Sequence, residues 1–73
     1  MSVLLLKGVL LDTGRECEVL AWKETTEGGT KCSKCRVIDA PSDLPDRDYM
    51  LRFDGQIVQA RKRSGHWLME RFQ

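Results

Sequence analysis

A chain of 73 residues with a formal net charge of +1 is the size of one small domain, and such a domain buries only about 60% of the surface its unfolded chain exposes. The low charge provides no molecule-wide field for drawing in nucleic acid or an anionic membrane. Three cysteines, an odd number, do not fit a secreted scaffold in which every thiol is paired, so a reducing, cytoplasmic setting is the expectation.

The charge is nonetheless uneven. Over residues 1–29, Lys7, Arg15 and Lys23 face Asp12, Glu16, Glu18, Glu24 and Glu27, a net of −2. Over residues 47–73, Arg47, Arg52, Arg61, Lys62, Arg63 and Arg71 face Asp48, Asp54 and Glu70, a net of +3. Two oppositely charged ends suit contact with another macromolecule.

In chain order, residues 2–11 come first, with apolar side chains on both alternating faces: Val3, Leu5, Val9 and Leu11 on one, Leu4, Leu6 and Leu10 on the other. Gly8 disfavours a helix, and Asp12-Thr13-Gly14-Arg15 has turn composition, so a strand is predicted. A strand apolar on both sides needs cover on both, from the body of the fold or from a partner. The run is interrupted by Lys7 and Gly8 and is too short to span a bilayer, so no membrane association is expected.

Residues 16–25 and 31–40 flank Glu27-Gly28-Gly29-Thr30 and are predicted to form a hairpin. With Gly28-Gly29 as the central pair, Trp22 opposes Cys35 and Leu20 opposes Val37, which gathers an apolar cluster on one face. The same register sets Glu18 against Asp39 and Lys23 against Lys34, two like-charge pairs, and so invites a β-bulge. Residues 40–47, with Pro41 and Pro45, read as a loop.

Residues 49–72 read as a three-stranded meander, with two-residue turns at Asp54-Gly55 and Ser64-Gly65. The first turn pairs Phe53 with Gln56, Leu51 with Val58 and Tyr49 with Ala60; the second pairs Lys62 with Trp67 and Ala60 with Met69. Tyr49, Leu51, Phe53, Val58, Ala60, Trp67 and Met69 then share a predicted core face. The fold class expected is all-β: a five- or six-stranded antiparallel barrel or roll, SH3-like or OB-like, ending in this meander.

Three constellations could carry function. The face opposite the meander core bears Met50, Arg52, Ile57, Leu68, Arg71 and Phe72, too apolar to be merely solvated, and is a candidate protein-contact surface. The second hairpin gathers Arg61, Lys62, Arg63, His66 and Trp67, the cation and aromatic combination of single-strand nucleic-acid binders, although basic residues at an edge strand also discourage aggregation and Trp67 falls on the core side. Cys32-Ser33-Lys34-Cys35, with Cys17 and His66, offers ligands enough for a zinc site. Against zinc, residues three apart in a regular strand point to opposite faces.

One histidine, no phosphate-cradling glycine loop and scattered carboxylates leave little from which to assemble a catalytic site. The reading is a non-catalytic binding module, a small regulator or inhibitor acting through protein contact and able to homodimerise. Nucleic-acid binding through residues 61–67 is the first alternative, and a zinc-stabilised domain the second.

Overall fold

A computed structural model describes residues 2–72. These hold seven strands, β1 (Ser2–Leu10), β2 (Arg15–Thr26), β3 (Gly29–Asp39), β4 (Asp48–Phe53), β5 (Gln56–Arg63), β6 (His66–Trp67) and β7 (Glu70–Arg71). All pairings are antiparallel, in the order β6-β5-β4-β1-β2-β3-β7, and the sheet curls into a half-barrel. The all-β, barrel-like class is as expected, but the strand count exceeds the predicted five or six. The meander's last strand is split: His66 and Trp67 pair with β5, then the chain crosses to β3, where Glu70 and Arg71 pair with Cys35 and Lys34.

The crossing draws the two ends of the sheet together. Leu68 N–H donates to the Arg61 carbonyl at 2.9 Å, and Phe72 N–H donates to the Ser33 carbonyl at 2.8 Å. Between these bonds the Glu70 carboxylate accepts from the Arg61 backbone N–H at 3.2 Å and from its Nε at 3.1 Å. A side chain thus satisfies a backbone donor that would otherwise want a ladder partner. The predicted pairing of Ala60 with Met69 is absent, because Met69 lies in the break between β6 and β7.

The β4–β5 register is the predicted one throughout: Tyr49 with Ala60, Leu51 with Val58, Phe53 with Gln56. Asp54 and Gly55 have φ of 51° and 75°, as do Ser64 and Gly65 at 53° and 76°, the two positive values a type I′ turn requires. Tyr49, Leu51, Phe53 and Ala60 are buried, and Val58 and Trp67 pack partly buried against them.

The β2–β3 register departs from expectation. Its turn falls on Glu27-Gly28, since Thr26 pairs with Gly29, and Ala21 rather than Trp22 opposes Cys35 while Val19 rather than Leu20 opposes Val37. Two irregularities, beside Ser33 and beside Ile38, each add a residue to β3, so that Glu18 ends opposite Asp39 after all, whereas Lys23 opposes Cys32 and escapes Lys34. The expected bulge is therefore present, twice.

The core fills the inner face of the curl: Leu10 from β1, Cys17, Val19 and Ala21 from β2, Cys32, Cys35 and Val37 from β3, the β4–β5 residues above, and Leu44 from the loop. Gly8 sits where a side chain cannot, since a Cβ there would lie 2.8 Å from Val19 and 2.9 Å from Leu51. The loop is pinned by polar contacts. Tyr49 Oη donates to the Pro45 carbonyl at 2.5 Å, and the Asp12 carboxylate accepts from Arg47 at 3.1 Å.

β4 pairs with β1 only at Gly8, Val9 and Leu10, whereas β2 pairs with β1 from Ser2 to Leu10. The first six residues of β1 therefore run beyond β4, and with the far ends of β2 and β3 they form a three-stranded arm. Principal extents of 40 × 21 × 18 Å reflect this elongation.

Candidate partner-binding face

Alternation along β4 and β5 decides which side chains the meander presents outward. With Tyr49, Leu51 and Phe53 inside, Met50 and Arg52 face out, and their β5 partners Gln59 and Ile57 share that face. Met50 is 41% and Ile57 55% exposed. Leu11, itself 40% exposed, joins them because its N–H donates to the Met50 carbonyl at 2.8 Å. Arg52 stands among these apolar groups, opposite Val9 on one side and Ile57 on the other, with no ion-pair partner among the described residues. Leu68 is 38% exposed and bonded to Arg61, near the seam.

Two members of the predicted surface belong elsewhere. Lys62 is buried: its Nζ donates to the Leu44 carbonyl at 2.7 Å, fastening the loop to β5, and lies 5.9 Å from the Trp67 ring. Phe72 is half-buried, its ring centroid 6.4 Å from that of Phe53, so it closes the core. Lys62 points inward by the same alternation as Ala60, with the loop receiving its ammonium, whereas the displacement of Phe72 follows from the strand crossing.

The basic hairpin is internally neutralised. Arg61 pairs with Glu70 at 3.1 Å, Arg63 pairs with Asp48, and the Asp46 carboxylate accepts from the Gly65 N–H at 3.1 Å. Trp67 lies against Tyr49 at a centroid distance of 5.4 Å, an aromatic contact of ordinary core geometry. His66 is exposed at the tip.

Cations without carboxylate partners gather instead on β3 and β7. Lys34 and Arg71 are directly opposed across the ladder, Arg36 follows two residues along β3, and none of the three has an ion pair among the described residues. Lys34 Nζ lies 5.1 Å from the centroid of the half-buried Trp22 ring. Sequence reasoning included Arg71 but missed Lys34, Arg36 and Trp22, because the pairing of β7 with β3 is not signalled locally.

The cysteines divide two and one. The bulge at Ser33 brings Cys32 and Cys35 to the same inner face, opposite Lys23 and Ala21, and so removes the geometric objection to that pair. Cys17 lies on β2 opposite Gly8, and His66 is at the tip of the second hairpin, so the four proposed zinc ligands are not brought together. Among the described residues no three of the side chains His, Cys, Asp or Glu converge as a metal-binding group. Burial pushes the Cys17 thiol up to about 11 and the Cys35 thiol up to about 12. Cys32 is raised for the same reason, partly offset by backbone hydrogen bonding from Lys34 and by the nearby Lys23 ammonium. These are protonated, weakly nucleophilic thiols at neutral pH.

A shallow depression of about 330 Å³ beside the second bulge is lined by Lys7, Glu16, Cys17, Glu18 and Asp39 among others. No helix among the described residues is long and apolar enough to cross a membrane. No known protein family, curated protein or solved structure matches the chain.

Proposed function

We propose that the protein is a non-catalytic binding module, a small regulator or inhibitor that docks the outer face of β4 and β5 on another protein. The finer fold assignment, to the SH3-like or OB-like kind of barrel, belongs to the same proposal. One observation carries the reading: Met50, Ile57 and Leu11 stand exposed around Arg52, which has no ion pair among the described residues, on a hairpin held by a tight turn. Apolar groups around a guanidinium, on a scaffold that loses little freedom on binding, are what a protein interface centre needs. The partner expected is a protein offering an apolar patch with a carboxylate for Arg52. Pull-down from the native host with the wild type and with Ile57→Lys tests this. A species retained by the first and lost by the second supports the face, and equal retention argues against it.

A second reading, nucleic-acid binding, is favoured by a different observation, the opposition of Lys34 and Arg71 beside Arg36 and Trp22. Like charges across a ladder are unfavourable until an anion lies between them. On this reading a labelled single strand binds in a salt-dependent way. Lys34→Glu abolishes the binding, while Arg61→Ala changes it little because Arg61 is already paired with Glu70. Absence of binding at low salt removes the reading.

A further inference from the structure

The arm carries a strand edge with nothing on it among the described residues. Leu11 N–H points toward β4, where it donates to Met50, and backbone groups alternate in direction along a strand. The N–H and C=O groups of Val9, Lys7, Leu5 and Val3 therefore point the same way. Of these residues only Val9 has a partner on β4, Arg52; β4 does not extend to Lys7, Leu5 or Val3. The even-numbered residues direct their backbone groups at β2 instead, and there the ladder is complete to Ser2.

Proteins usually protect such an edge with lysine, proline, a bulge or a covering loop. The opposite edge of the arm follows that rule, since β3 carries Lys31 and is bent at Ser33. The β1 edge has only Lys7, next to the end of β4, to protect it among the described residues. From Ser2 to Leu6 it is uncharged and without proline, with Val3, Leu4 and Leu5 exposed at 51%, 42% and 58%.

We infer that this edge is a dimerisation site whose occupant is the same strand of a second copy, paired antiparallel about a two-fold axis at Leu5. That register opposes Leu5 to Leu5 and Val3 to Lys7 as hydrogen-bonded pairs, because all three point their backbone groups outward, and the new ladder ends there, since the place opposite Gly8 is taken by Phe53. It sets Leu4 against Leu6 between them, covering the exposed Leu4. The charges permit it: the two Lys7 side chains lie four residues apart along the new ladder, about 13 Å, and each keeps its own Glu16 partner. Outward-facing Val3 and Leu5 already adjoin Trp22 and Leu20 across β2, so the dyad joins two apolar patches into one. Two copies of the β1 edge related by a two-fold consume each other, so the pairing is isologous and closes at two rather than growing into a filament. This surface is separate from the β4–β5 face and does not depend on the function proposed for it.

The test is sedimentation velocity of the purified full chain over a concentration series, comparing wild type with Leu5→Lys and Leu5→Pro. Leu5→Lys opposes two like charges at the dyad from an exposed position. Leu5→Pro deletes an N–H that points to the open edge and leaves the β2 ladder its bonds, the setting in which a strand tolerates proline. The expected result is a wild-type dimer whose dissociation constant rises at least about tenfold in Leu5→Lys, with far-ultraviolet dichroism unchanged, and in Leu5→Pro where it folds. A wild type monomeric at every concentration overturns the inference. So does a dimer that Leu5→Lys leaves as tight as before.

Discussion

In the body of the molecule Leu10, Val19, Val37 and Leu51 are almost wholly buried, whereas in the arm Val3, Leu4 and Leu5 are about half exposed. The two regions share strands and composition; what separates them is the second neighbour. At Gly8 and beyond, β1 lies between β2 and β4. From Ser2 to Lys7 it has β2 alone. Apolar alternation records the capacity to be buried, and topology decides where that capacity is used.

Substitutions should therefore separate the regions sharply. The largest expected effect is Leu51→Ala in the body, a loss of about 2–5 kcal/mol of unfolding free energy read from a denaturant midpoint. Next is Gly8→Ala, whose new Cβ would press on Val19 and Leu51; about 1–3 kcal/mol is expected for such overpacking. A stabilised or unchanged Gly8→Ala protein would mean that β1 is less tightly enclosed than described. Lys62→Met keeps the apolar stem but deletes the donor to the Leu44 carbonyl, and about 1–3 kcal/mol is expected for leaving that buried acceptor unpaired. Faster proteolysis within residues 40–47 should accompany it.

The thiols give the comparison a pH axis. Cys17 and Cys35 ionise near the usual 9.0 when exposed but near 11 and 12 when folded. Above pH 9 the unfolded chain releases protons that the folded chain retains. The contribution of these thiols to stability is thus level below about pH 9 and falls as pH rises from there toward 12. Unfolding titrations of wild type and Cys35→Ala should show a shallower alkaline decline in the variant. The smallest effect is expected in the arm. Leu5→Lys, studied on the dilute monomer, should change unfolding free energy by no more than about 0.5 kcal/mol, and a cost comparable to that of Leu51→Ala would erase the distinction between the regions.

Legibility in the sequence followed the same division between local and distant causes. The β4–β5 register could be read residue by residue because Asp54-Gly55 is the one dipeptide in its neighbourhood able to take two positive φ angles. The β2–β3 register could not, since Glu27-Gly28 and Gly28-Gly29 both offer a turn and two bulges alter the count afterwards. Exposure of Met50, Arg52 and Ile57 came directly from alternation. Neutralisation of the basic hairpin did not, because Glu70 reaches Arg61 only after the chain has left β5. The bare edge of β1 was visible as a strand apolar on both faces, but its openness depends on where β4 ends.

The bulge at Ser33 has a consequence beyond turning two cysteines inward. Ser33 has no counterpart on β2, so its main-chain oxygen is surplus to that ladder, and it is the atom that receives Phe72 N–H at 2.8 Å. The extra residue works as a latch plate for the chain's tail. Deleting it would leave Cys-Lys-Cys in even phase, both thiols still inward and the hairpin tidier, but the tail would lose the Phe72 bond and keep only its pairing at Lys34 and Cys35. A sequence change that makes β3 more regular would then loosen the strand crossing at a point remote from it in the chain.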